Sequence, residues 1–129
     1  RARPERVSAT TTRTERTAEM DATVGTFEGA VIERSHDLPV VVDFWAPWCG
    51  PCHRLAPVLE SEVARRDGAV ALVKVNVDEN PELARRYAVS GIPSVKAFRA
   101  GKVIDQFVGA VPPSVVGSFL DGLEERAAA

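Results

Sequence analysis

The run Val40-Val41-Val42-Asp43-Phe44-Trp45, followed within seven residues by Cys49-Gly50-Pro51-Cys52, limits the folds open to this chain more than any other feature. Three β-branched residues and two aromatics in a row read as a strand covered on both faces. Pro51 suits the first turn of a helix, where its missing N–H is no loss. A buried strand therefore feeds directly into a helix, and the two cysteines of the chain sit at the junction. Two thiols with two residues between them can close a ring with little backbone movement. A thiol at a helix N-terminus is also made acidic by the free amides there.

The 129 residues suffice for one domain, and 45% hydrophobic with 26% charged residues is ordinary globular composition. Residues 1 to 19 carry five Arg against three Glu, with Val7 their one large aliphatic residue, so they read as a disordered tail. The rest holds 11 basic and 15 acidic residues, net −4, a poor balance for binding nucleic acid. No apolar run approaches the roughly 20 residues that span a bilayer, so no membrane partner is expected. Both cysteines lie in one reactive motif rather than scattered, which points to a cytoplasmic location. The domain is placed at residues 20 to 126, with 127 to 129 as a short C-terminal tail.

Along the chain, Phe27, Ala30, Val31 and Ile32 fall at helical spacing after Thr26 as N-cap, and Pro39 closes the connection to the first strand. A long helix is predicted from Pro51 to Arg66, kinked at Pro57 and ended by Gly68. Ala69 to Val77 reads as a second covered strand, and Asn80-Pro81 caps and starts a helix to about Tyr87. Ser94 to Arg99 and Lys102 to Val108 form a hairpin about Ala100-Gly101. Ser114 caps a last helix to about Glu125. Ala22 to Val24 is the one further candidate for an edge strand. This order implies an α/β fold: a central mixed sheet flanked by helices on both faces, parallel first and antiparallel at the end.

Five separated motifs then agree in order with one family: Val-Asp-Phe-Trp-Ala (42 to 46), Trp-Cys-Gly-Pro-Cys (48 to 52), Val-Asn-Val-Asp-Glu-Asn-Pro (75 to 81), Gly-Ile-Pro-Ser (91 to 94) and Val-Gly-Ala (108 to 110). From about Phe27 to Leu123 the chain resembles the thioredoxin family. The resemblance implies the thioredoxin fold and reduction of protein disulfides by dithiol-disulfide exchange, with no bound cofactor. It implies disulfide-containing client proteins and a thioredoxin reductase, an NADPH-dependent flavoprotein, as partners of a monomer. The segments 31 to 40 and 107 to 113 are also similar to the thioredoxin domain of chaperedoxins, where the domain precedes helical repeats. The second reading is therefore a redox-linked holdase or client-binding domain, and the chain is either a free-standing protein or a domain of a longer one.

The residues themselves support a division of labour. Attack on a disulfide needs a thiolate, so Cys49 at the helix N-terminus is assigned as nucleophile and Cys52, one turn in, as the shielded resolving thiol. A structural zinc site would need a third and fourth soft ligand, which the sequence lacks, so no metal is expected. Cys-x-x-Cys-His is also the c-type haem attachment signature, but the strand and Pro-started helix around it and the single Met20 argue against haem. Asp43 stands in an apolar strand, where an ionised carboxylate is costly, so a raised pKa is expected. The resemblance implies that Asp43 takes and returns the proton of Cys52, with Lys74 as its partner, and that Pro93 is in cis. It implies a shallow docking groove from Trp48, Gly50, Pro51, Gly91, Ile92, Pro93, Val108, Gly109 and Ala110. Trp45 is expected to pack under the site. His53 departs from the Lys or Arg more usual after the second cysteine, and reads either as a source of pH-dependent charge or as a solvated helix residue.

Overall fold

A computed structural model describes residues 20–128, and the tail read at residues 1 to 19 lies outside them. Five strands form one sheet: β1 Met20–Asp21, β2 Val40–Trp45, β3 Ala71–Asn76, β4 Ser94–Arg99 and β5 Lys102–Val108. Their spatial order is β1-β3-β2-β4-β5, with β1, β3 and β2 parallel and β4 and β5 antiparallel, as the element order implied. Three α-helices accompany the sheet: α1 Gly50–Arg65, α2 Pro81–Arg86 and α3 Pro113–Ala128.

β2 lies between β3 and β4, which is why its residues from Val40 to Phe44 are buried on both sides. Alternation along the strand sends Val41 into one layer with Leu55, Leu59 and Val63 of α1 and Leu120 and Leu123 of α3. Val40, Val42 and Phe44 face the other layer, built on Phe27, Val31, Leu83 and Phe98. Asp43 shares the parity of Val41 and so belongs to the face that α1 covers. Arg66 ties α1 to α3 through Asp121 Oδ1 at 2.6 Å and Glu124 Oε2 at 2.8 Å.

Several local details differ from the sequence reading. The first helical segment is a π-helical stretch, Glu28–Glu33, running into a 3₁₀ turn, Arg34–His36. Thr26 does not cap it: its hydroxyl accepts the Thr23 N–H at 2.9 Å. The edge strand is Met20–Asp21 rather than Ala22 to Val24, although Ala22 N–H still reaches Lys74 O at 2.9 Å. Pro57 lies inside α1 as predicted, and the helix ends at Arg65 rather than Arg66. Asn80 precedes α2 without a side-chain cap bond, since its Oδ1 accepts the Val24 N–H at 3.0 Å instead. α3 begins at Pro113, so Ser114 lies inside it and the Val116 N–H bonds Pro112 O; it continues through Ala128, beyond Glu125.

The hairpin turns on Ala100 and Gly101, both at positive φ, the geometry of a two-residue primed turn. Buried Ser35 clasps it: Oγ accepts the Gly101 N–H at 2.8 Å and donates to Ile32 O at 2.7 Å, while Ser35 O accepts the Ala100 N–H. Ser35→Ala strands these groups and should cost about 1–3 kcal/mol in urea unfolding; an unchanged midpoint would show that water replaces the clasp.

Lys96 is buried on β4, with Nζ 2.6 Å from Gln106 Oε1, and desolvation pulls its pKa below the ordinary lysine range. Between the folded and the higher unfolded value the unfolded chain binds the extra proton, so stability rises with pH through that alkaline window. Lys96→Met should flatten this rise and stabilise the fold by on the order of 1 kcal/mol at neutral pH. Thermal unfolding from pH 7 upward checks both, and a less stable variant with the slope intact would contradict them.

Candidate active site

β2 ends in a tight loop, Ala46–Trp48, closed by the Cys49 N–H on Ala46 O at 3.1 Å. Cys49 keeps an extended backbone, φ −90° and ψ 106°, and is the N-cap of α1. Its Sγ accepts the Cys52 N–H at 3.2 Å, so a sulfur occupies the place a Ser or Asp oxygen usually fills. Pro51 lies in the first turn, as predicted, with the helix opening one residue earlier at Gly50. The two cysteines are joined as a disulfide, Cα to Cα 5.3 Å, so the sulfurs are in the oxidised form of the dithiol. Exposure separates them little, at 4% for Cys49 and 2% for Cys52; what differs is that Cys49 stands outside the helix and Cys52 within it.

The second side of the site comes from the loop before β4 and the end of β5. Cys49 Sγ lies 3.8 Å from Ile92 O, beside the cis Ile92–Pro93 bond. Pro93 O accepts the Gly109 N–H at 2.8 Å, with Gly109 at φ +100°, where a side chain would be strained. A Cβ on Gly91 would meet Val108 Cγ1 at 3.5 Å, so these two residues adjoin. Ala110 continues this exposed rim. Trp48 and Val108 are largely exposed, at 70% and 61%, on a surface that elsewhere shows few large apolar side chains. Trp48 Nε1 donates to Asp78 Oδ2 at 2.9 Å, anchoring the indole to the loop after β3.

In β2, Asp43 is 1% exposed and lies opposite Lys74 in the β2–β3 ladder. The Lys74 ammonium makes an ion pair with Glu60 Oε2 at 3.2 Å and lies 5.2 Å from the centre of the Trp45 ring. The pair with Glu60 was not read from the sequence. Trp45 packs against Ala46, Cys49 and Cys52, as expected. His53 is exposed but not simply solvated, because its Nε2 lies 2.7 Å from Pro47 O and its ring meets Trp45 edge-on, centroids 6.2 Å apart.

Asp78, Glu60 and the His53 contact are the features the sequence reading missed. A usable signal existed for Asp78, which lies two residues past β3 at the sheet end that carries Cys49. Among the described residues no group of three or more His, Cys, Asp or Glu is placed to hold a metal ion, and no helix is long and apolar enough to cross a membrane.

Residues 18–121 match the sequence model of the Thioredoxin family. The chain belongs to the thioredoxin family. It is 42% identical over 104 residues to Thioredoxin 1 of Nostoc sp., covering 81% of this chain and 95% of that protein. Thioredoxin 1 of Synechococcus elongatus is 46% identical over 99 residues, covering 77% and 91%. A third relative, Thioredoxin M-type, chloroplastic, of Chlamydomonas reinhardtii, is 42% identical over 91 residues, 70% of this chain and 64% of that protein. With the thioredoxin fold and a Cys49–Cys52 disulfide, the protein is a thiol-disulfide oxidoreductase of the protein-disulfide reductase type. The holdase reading is not favoured.

The asymmetry around this thioredoxin dithiol gives a chemical prediction. After reduction, limiting iodoacetamide at neutral pH should alkylate Cys49 well ahead of Cys52, since only Cys49 Sγ is in place to receive a helix-start amide. Peptide mapping reads the ratio, and equal labelling would contradict the cap's effect on the thiol.

Proposed function

We propose that Cys49 is the attacking thiolate, Cys52 the resolving thiol and Asp43 the group that exchanges a proton with Cys52. In the first step Cys49 Sγ bonds to one sulfur of a client disulfide and expels the other as a thiolate. Asp43 takes the Cys52 proton, and Cys52 Sγ then attacks Cys49 Sγ, re-forming the intramolecular disulfide and releasing the second client thiol. Two electrons pass to the client, and each thiolate released takes up one proton. The observation that carries this assignment is the Cys52 N–H on Cys49 Sγ, a donor already aimed at the charge a free Cys49 would bear. Burial of Asp43 supports its part, since a carboxylate kept from water favours the protonated form and can return that proton. Lys74 acts in support, held beside Trp45 and Glu60.

Client segments dock on Trp48, Gly50, Pro51, Gly91, Ile92, Pro93, Val108, Gly109 and Ala110. The exposure of Trp48, next to Cys49 in the chain, and of Val108, which adjoins Gly91, supports this, as does the Ile92 carbonyl lying 3.8 Å from Cys49 Sγ. The oxidised pair is recycled by an NADPH-dependent flavoprotein, a thioredoxin reductase. The protein works as a monomer in a cytoplasmic compartment, and the single cysteine pair, gathered in one motif, supports that location.

Insulin reduction driven by dithiothreitol tests the reaction: the native protein should accelerate it and Cys49→Ser should abolish the acceleration. No acceleration by the native protein would overturn the assignment. Asp43→Asn should slow resolution of the mixed disulfide by roughly a hundredfold while its formation changes little. Equal slowing of both steps would remove Asp43 from proton transfer.

A further inference from the structure

We propose that His53 is a positioning residue of this site, its ring tying the loop that presents Trp48 and Cys49 to the first turn of α1. The residue is bonded at both ends of that loop. Its main-chain N–H reaches Cys49 O at 3.3 Å, and its side-chain Nε2 lies 2.7 Å from Pro47 O, a short distance for a nitrogen donor on a carbonyl. The ring is also held edge-on against Trp45, so an exposed side chain is fixed from two directions.

A carbonyl oxygen only accepts, so in this bond Nε2 carries the hydrogen, as it can in either the neutral or the charged ring. The tether therefore forms with either the neutral or the charged ring. Between its two anchors lies Trp48, 70% exposed, with its indole held on the opposite side by Asp78. Removing the His53 tether frees the Pro47 carbonyl and loosens the backbone carrying Trp48. The Cys52 amide stays on Cys49 Sγ, so the dithiol chemistry is not what His53 supports. Its effect falls on the docking of a large client, not on exchange with a small thiol.

This rests on Trp48 belonging to the docking surface. Glutamine places an amide N–H the same number of bonds from Cβ as the imidazole Nε2, whereas alanine has no donor and asparagine is one bond short. His53→Ala and His53→Asn should raise KM for insulin roughly three- to tenfold with kcat within about twofold. His53→Gln should return KM to within about twofold of the native value, and all three oxidised variants should be reduced by dithiothreitol at nearly the native rate. Equal KM values for alanine and glutamine variants, or a loss confined to kcat and the dithiothreitol rate, would overturn the proposal. If the native protein itself fails to reduce insulin, the dithiol assignment falls; if it is active and His53→Ala leaves KM unchanged, only the tether does.

Discussion

Helix α1 begins with amides that have no carbonyl to bond, and Cys49 Sγ receives one of them, from Cys52. Placing a sulfur there requires Cys49 to be extended and outside the helix, the loop before it to be tight, and β2 to end at Trp45. Each condition traces to a residue: the Ala46 carbonyl that closes the loop, Pro51 in a turn where no amide is missed, and valines that keep β2 in the sheet centre. The same amide that caps the helix lies where negative charge would develop on a reduced Cys49. Structural capping and the activation proposed for Cys49 thus rest on one interaction.

Two apolar layers hold this junction still. Leucines of α1 pack on Val41 from one side, and the Phe27, Phe44 and Phe98 layer supports β2 from the other. Asp43, in the strand that leads to the Cys49 loop, interrupts an otherwise apolar run at a buried position, where an acid costs stability. Tolerance of this cost supports the proton-transfer role proposed for Asp43.

Strands β2 to β5 and the site cysteines were legible because their signals are local. β2, β3 and the hairpin are continuous β-branched or alternating runs bounded by Pro and Gly, and the Cys-x-x-Cys spacing needs no tertiary information. Asp43 stood out as a charge in an apolar run. Residues 91 to 93 and 108 to 110 were joined to the cysteines only through family resemblance, because their meeting depends on β4 pairing with β5. The Glu60 partner of Lys74 and the contacts of the His53 ring were not legible, since a polar residue's partner across the fold leaves no mark on its own neighbours. The cap errors have a similar cause: the Thr26 hydroxyl serves the Thr23 amide, and Pro112 already stands where Ser114 was expected to cap.

If the fold holds Cys49 and Cys52 as a reducing couple, its midpoint potential, measured by equilibration against glutathione or a known thioredoxin, lies near about −270 mV, the reference value for thioredoxin. A value near about −120 mV, that of a strong disulfide donor, would contradict it.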